Sequence, residues 1–444
     1  MTVIWSSRLL WALIPVLAAL AALATLAFMR GERPADQHVE LPFDFRQTAG
    51  TSTDSLIGSL QEKVRDNPKD FDSHINLANA YLQKVRETGD PTLYTRTEDL
   101  LDNARKLEAQ SPELFATRGS LDLARHDFEA ALQNGTRALA LDPENARYYG
   151  IVGDAQIEQG MYEEAINSYQ EMVDRRPDFD SFSRVAYARE LYGDPEGAIE
   201  AMEFALQAGS GTPENVAWAH VQQGNLWFTS GNLEEAQKAY GLSTRTVGAY
   251  APALAGQAKI AAARGDLEQA ATLYKQAFNR IPLPEYAIAL SDVYVEMGAR
   301  KKAEEQYELV QSMDKLLRAN GVNTDLEIAL FYADHGMNLQ TSLKKARAAY
   351  DERPSIHAAD ALAWTLYKTG NYKEAQEYSS EALKLETRDP LKLFHAGMIS
   401  KALGEKEQAS TYLQQAVDLN PHFSLLYADE AADSLETLKA GGEH

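Results

Sequence analysis

The chain has 444 residues, 45% of them hydrophobic, no cysteine and a formal net charge of −22. That apolar share supports a core and excludes wholesale disorder, while the missing thiols exclude disulfides, thiolate zinc sites and cysteine nucleophiles. Residues 1–53 carry four basic and four acidic side chains, so the whole acidic excess falls on 54–444; such a body repels phosphate backbones, argues against nucleic acid as a partner and favours basic partners.

Leu9–Met29 is a run of 21 residues without a charge, bracketed by Arg8 and Arg30. As a helix it reaches about 31 Å, the thickness of a bilayer core. The expectation is a transmembrane anchor within residues 1–30 of a single-pass membrane protein, with the body outside the cytoplasm. The alternative is a cleaved signal peptide, for which Ala22-Leu23-Ala24 offers a small-x-small pattern, although the apolar run is longer than such segments need. Residues 31–53 show no period and contain two prolines. They read as a flexible linker of about 26 Å root-mean-square span.

From residue 54 the sequence becomes self-similar. Residues 54–68, "DSLIGSLQEKVRDNP", read as a lone helix covering the first repeat unit. That unit, about 73–111, carries an excess of about ten residues, "VRETGDPTLYTR", which should lengthen its helices or form a protruding loop. Thereafter a period of 34 is plain. In the unit 146–179, Gly153 stands at position 8, Gly160 at 15, Ala165 at 20, Tyr169 at 24 and Pro177 at 32. The units starting at 112, 251 and 390 repeat the pattern, with Gly119, Ala258 and Gly397 at position 8 and Pro143, Pro282 and Pro421 at position 32. Units starting at 179, 217, 284, 323 and 356 keep most of it, and an insertion after Val310, "QSMDKLLRANGVN", should extend a second helix. Small residues at 8 and 20 let two antiparallel helices approach. Glycine at 15 ends the first helix in the left-handed conformation, and proline at 32 ends the second. Residues 424–440 carry an apolar stripe, Leu426, Ala431, Leu435 and Leu438, suited to a capping helix, with a tail running to 444.

This pattern resembles the tetratricopeptide repeat over nearly all of 54–423. The expected fold is therefore all-α: an α-α superhelical solenoid of about ten repeats, each helix pair leaning only on its neighbours. The strings "DLEIALFYADHG", "RPSIHAADALAWTLYKTGNYKEA", "LFHAGMISKALG" and "NPHFS" also resemble a bacterial group of membrane-anchored tetratricopeptide proteins with no settled activity. That narrower likeness supplies architecture and no reaction.

The family resemblance implies a concave groove lined by positions 2, 5, 9, 12 and 13 of each first helix. Those positions hold Asp154, Glu158, Tyr187, Glu190, Trp218, Asn225, Phe228, Asp292, Glu296, Glu327, Phe331, Asp334, Asp360, Trp364, Tyr367 and Phe394. Aromatic rings among carboxylates suit a protein or an extended, basic peptide. Members that clamp chaperone carboxylates use lysine at position 5 and asparagine at 9; here only Asn225 fits, with Val221 at position 5, so that specialisation is not expected. Glu327, His357 and Asp360 fall on adjacent first helices, which leaves a metal or small-ligand site as a second reading. No GxxxxGK[ST], HExxH or GxSxG motif is present. The expectation is a scaffold without enzymatic activity or cofactor, tethered to the membrane.

Overall fold

Residues 52–209 and 212–440 are described by the computed structural model, and among them the regular structure is entirely α-helical. Helix α1 (Thr53–Asp66) stands first and alone. Ten pairs follow: α2 (Phe71–Thr88) with α3 (Thr92–Leu107), α4 (Pro112–Ala124) with α5 (Phe128–Leu141), and α6 (Ala146–Glu158) with α7 (Tyr162–Arg175). Then come α8 (Phe179–Leu191) with α9 (Pro195–Ala208), α10 (Pro213–Thr229) with α11 (Leu233–Thr246), and α12 (Ala251–Ala263) with α13 (Leu267–Arg280). The last four are α14 (Pro284–Glu296) with α15 (Arg300–Ala319), α16 (Asp325–Asp334) with α17 (Leu339–Glu352), α18 (Ile356–Lys368) with α19 (Tyr372–Ala382), and α20 (Pro390–Leu403) with α21 (Lys406–Leu419). Helix α22 (Ala428–Ala440) closes the described chain. Seven of the predicted unit starts coincide with a helix start; the unit placed at 217 begins at Pro213 and the one at 323 begins at Asp325. Both excess segments lengthen helices, to 18 residues in α2 and 20 in α15.

Local chemistry sets these boundaries. Gly160, Gly193, Gly231, Gly265, Gly298, Gly370 and Gly404 all take φ between 69° and 82°, the left-handed conformation that ends a helix without a Cβ penalty. The next residue often caps the second helix: the side chains of Asp194, Asn232 and Asp266, and of Asp127 after the left-handed His126, accept from the backbone N–H of Gly197, Glu235, Gln269 and Ala130. Each cap satisfies an amide the helix itself leaves unpaired, contributing about 1 kcal/mol.

The small residue at position 8 has a more specific reason than backbone proximity. A Cβ on Gly153 would fall inside 3.0 Å of the Tyr169 ring, and one on Gly224 inside 3.0 Å of the Tyr240 ring. The aromatic at position 24 of the second helix fills the hollow that the glycine leaves. Tyr169 is 3% exposed and Tyr240 is fully buried.

One expectation about the fold is overturned. The pairs do not lean only on their neighbours, because the superhelix winds tightly enough for successive turns to touch. The tight turn inside each of the first four pairs rests on the connection that precedes the pair six further along, and that of the fifth rests on the segment between α21 and α22. Gly89 faces Ile281 and Leu283. His126 Nδ1 bonds the Asn323 carbonyl at 2.9 Å, and Asn323 N donates to Arg125 O at 2.8 Å. Tyr162 OH accepts from Ile356 N at 2.7 Å, 194 residues away in sequence. Thr387 Oγ1 donates to Leu191 O, and Asn420 Nδ2 to Phe228 O at 2.8 Å. Among the described residues the turns of the last five pairs have no such partner: at Gly265, Gly298, Gly336, Gly370 and Gly404 a Cβ would meet nothing within 4 Å.

The predicted membrane-spanning helix lies outside the described residues, as does the greater part of the predicted linker. Among the described residues no helix is long and apolar enough to cross a membrane, and the single-pass membrane localisation is withdrawn on that finding.

Candidate functional site

Where the two superhelical turns meet, a cavity of about 530 Å³ opens between pairs that are remote in sequence. One wall comes from the first turn: His126 and Phe128 at the start of α5, Asp154 and Glu158 on α6, Tyr169 on α7 and Tyr187 on α8. The other comes from the second turn: Glu327 on α16, Arg353 just past α17 and His357 on α18. The inter-turn contacts hold these walls in register.

The charges of the cavity are unequally matched. Asp154 is fully engaged, accepting from Arg184 Nε at 2.8 Å and Nη2 at 2.7 Å and from Tyr169 OH at 3.0 Å. Arg353 is 6% exposed and lies between two carboxylates, with Nη2 3.2 Å from Glu327 Oε1 and Nη1 3.8 Å from Glu158 Oε2. Its guanidinium carbon sits 5.3 Å from the centre of the Phe128 ring, on which His126 also stacks. The Glu327 side chain is 41% exposed, yet its Oε2 is covered and has no hydrogen-bond partner among the described residues. Burial raises the Glu158 carboxyl above its ordinary range, with Arg353 opposing and Asp154 and Glu327 adding to the rise. His357 is pushed well below its ordinary value, chiefly by burial and then by the nearby Lys392 ammonium. It is therefore neutral, with Nε2 3.4 Å from Tyr187 OH.

Five of the residues singled out in the sequence thus line this cavity: Asp154, Glu158, Tyr187, Glu327 and His357. The others are elsewhere. Glu190 belongs to a neighbouring group of charges and titrates at about 7, raised first by burial and then by Asp389, with Lys392 opposing. Trp218 is half-buried, edge-on to Phe179 at 6.1 Å. Asn225 accepts from Tyr240 OH at 2.8 Å within its own pair, and Phe228 packs half-buried beside Val221 and Tyr240. Asp292 pairs with His335 Nε2 at 2.9 Å. Glu296 is exposed.

The C-terminal aromatics call for a correction. Trp364 is 1% exposed, Phe331 2% and Phe394 0%, so these rings do not face an open groove. Trp364 stacks on His395 and Tyr367 at 4.1 and 4.8 Å, and its Nε1 donates to Asp334 Oδ1 at 2.8 Å. Tyr427, just before α22, bonds the same carboxylate at 3.0 Å. Trp364, Asp334 and Tyr427 thereby tie the last pairs to the closing helix. Asp360 is likewise buried, held by His395 Nδ1 at 3.0 Å.

The expected metal triad is corrected on the same geometry. Glu327 is taken by Arg353 and Asp360 by His395, and only Glu327 and His357 share the cavity. Among the described residues no group of three or more His, Cys, Asp or Glu is placed to hold a metal ion.

Phe128, Tyr169, His126 and Arg353 were not foreseen as site residues. Tyr169 was visible as a core position, and its hydroxyl reaches the cavity from there. Arg353 carries no signal in its own unit, because its role depends on a helix pair six units earlier.

The chain matches the tetratricopeptide repeat family at residues 116–178, 356–389 and 393–423. It is similar to "Protein CTR9 homolog" of Arabidopsis thaliana, 24% identical over 46% of this chain and 19% of that protein. It is also similar to "Small glutamine-rich tetratricopeptide repeat-containing protein 2" of Saccharomyces cerevisiae, 28% identical over 24% of this chain and 34% of that protein. The chain therefore spans between a fifth and about a third of the length of these curated relatives. The solved structure of yeast Tom70 is similar at 13% identity, covering 88% of this chain and 97% of that one with a TM-score of 0.39. The narrower likeness to a membrane-anchored bacterial group is not carried by these matches.

Proposed function

We propose that this chain of tetratricopeptide repeats is a non-enzymatic scaffold that holds a protein or an extended peptide against its acidic, aromatic inner face. One observation carries the reading: Asp154, Glu158, Tyr187 and Glu327, chosen from the sequence as recognition positions, meet on a single cavity between two superhelical turns, beside His357. Repeat solenoids bind through extended surfaces built jointly by several units, and here the units come from both halves of the chain. Phe128, Tyr169 and Tyr187 supply apolar area at small conformational cost, and the carboxylates supply orientation.

The test is selection of peptides from a random library on the immobilised full-length chain. Enriched peptides should lose binding to a Glu158→Gln, Glu327→Gln double variant. They should keep it on Glu377→Gln, an exposed carboxylate of α19 away from the cavity. Failure to enrich any peptide would remove this reading.

A further inference from the structure

Two carboxyl groups of the cavity, Glu158 and Glu327, have one guanidinium between them. Asp154 is cancelled by Arg184 through two hydrogen bonds, His357 is neutral, and His126 Nδ1, 3.9 Å from Glu327, is engaged by the Asn323 carbonyl, which leaves Glu158 and Glu327 to share Arg353. Sharing is incomplete. The Glu158 approach, at 3.8 Å, is too long for a hydrogen bond, which leaves Tyr187 as its donor, and Glu327, although its side chain is 41% exposed, keeps Oε2 covered and without a donor among the described residues. A buried carboxylate oxygen left without a donor costs roughly 1–3 kcal/mol, more when charged. A guest that brings one positive charge and several N–H donors would relieve both faults at once.

The cavity also shows what such a guest looks like. Arg353 is a guanidinium lying across an aromatic face, Phe128, between two carboxylates. Tyr169 and Tyr187 offer further aromatic surface on the wall opposite Glu327, and among the described residues no lysine and no second arginine lines the space. A planar or ammonium cation gains from ring faces as well as from carboxylates.

We infer that the inter-turn cavity is a receptor for one guanidinium or alkylammonium group, seated between Glu158 and Glu327 beside Arg353 and against the tyrosines. This rests on the proposed scaffold reading and names the chemistry that site selects: an arginine or lysine side chain of a bound peptide, or a free amine of the same class. Because the walls belong to different superhelical turns, the guest bridges them, and its binding favours the closed superhelix over any loosened one.

The experiment uses peptides enriched on the full-length chain. They are expected to share an arginine or lysine at one position. Replacing it by citrulline or norleucine should weaken binding by about tenfold to a hundredfold, and that penalty should disappear in the Glu158→Gln, Glu327→Gln double variant. Enriched peptides without a common cationic residue, or a citrulline peptide binding within about twofold of its parent, would overturn the inference while leaving the scaffold reading intact. Calorimetry with spermidine distinguishes the source. Competition by spermidine at concentrations below the peptide's own Kd assigns the cavity to a free amine; weaker competition assigns it to a peptide side chain. An intact melting temperature in the Gln variants guards against loss of fold.

Discussion

Alanine at the tight-turn glycines should separate two costs that are normally entangled. Every such glycine has a positive φ, so alanine there carries the strain of the left-handed conformation, about 1–2 kcal/mol. At Gly265 (φ 79°) and Gly370 (φ 82°) nothing lies within 4 Å of the added Cβ, and the strain is the whole effect. At Gly231 (φ 76°) the Cβ would stand 2.5 Å from the carbonyl oxygen of Leu419, and at Gly160 and Gly193 equally close to those of Pro354 and Glu386. These are backbone atoms, so no rotamer change relieves the clash and the two superhelical turns must part. Overpacking of this kind adds about 1–3 kcal/mol. Urea unfolding should therefore show Gly193→Ala and Gly231→Ala destabilised by about 2–5 kcal/mol against about 1–2 for Gly265→Ala and Gly370→Ala. Amide exchange should quicken at Thr387 and Asn420, whose side chains bond across the same contact. If the four variants lose the same stability, the turns of the superhelix do not touch and the cavity between them has no second wall.

Three further contacts give measurable outcomes. Trp364→Ala should lower stability by about 3–5 kcal/mol in urea unfolding, because a fully buried indole and its bond to Asp334 are lost; weakened partner binding without a stability change would restore the ring to a groove. Gly224→Ala should cost about 1–3 kcal/mol, since its Cβ would enter the Tyr240 ring, itself wedged against Gly256; a neutral result by thermal melting would contradict that packing. His335 is held above its ordinary pKa: burial opposes the charge, but the hydrogen bond and charge of Asp292 prevail, with the Phe331 carbonyl accepting from the other ring nitrogen. Its contribution is complete below about pH 6.5 and lost as pH rises through the higher folded value. The half-buried Asp292, also raised, likewise contributes less as pH rises, beginning from the ordinary carboxylate range. His335→Gln should accordingly cost roughly 2 kcal/mol at pH 6 and distinctly less at pH 9; an equal loss at both would refute the ion pair.

The helices were legible because their signals are local. Position 8 glycines, left-handed glycines at 15, caps after them and prolines at 32 each act within one 34-residue unit, and they located the pairs almost to the residue. The two misplaced starts, at Pro213 and Asp325, are those where a proline or an insertion shifts the first turn of the helix. Burial of the aromatics was less legible. Trp364 and Phe331 sit at positions that face outward in an open repeat, but α22 covers Trp364, and Tyr307 and His335 close over Phe331, so the same register buries them. The cavity was half visible: its first-helix residues could be assigned by position, whereas Arg353 and Phe128 could not.

What the repeat pattern cannot display is superhelical pitch. Gly160, Gly193 and Gly231 carry the same signature as Gly265, Gly370 and Gly404, yet the first three are pressed against carbonyls some 190 residues away and the last three face open space. Nothing within a unit distinguishes them; only the accumulated rotation per pair does, bringing pair three beneath pair nine and pair four beneath pair ten. The consequence is thermodynamic. A solenoid whose pairs touch only their neighbours unravels from either end, pair by pair. Here the loops at Arg353–Ser355, Thr387 and Asn420 fasten the second turn to the first, so loosening the C-terminal pairs also uncovers the turns of the N-terminal ones. The cavity inherits that coupling: its acidic residues are assembled only while the turns stay joined, and a cation seated between Glu158 and Glu327 would draw the two turns together as it bound.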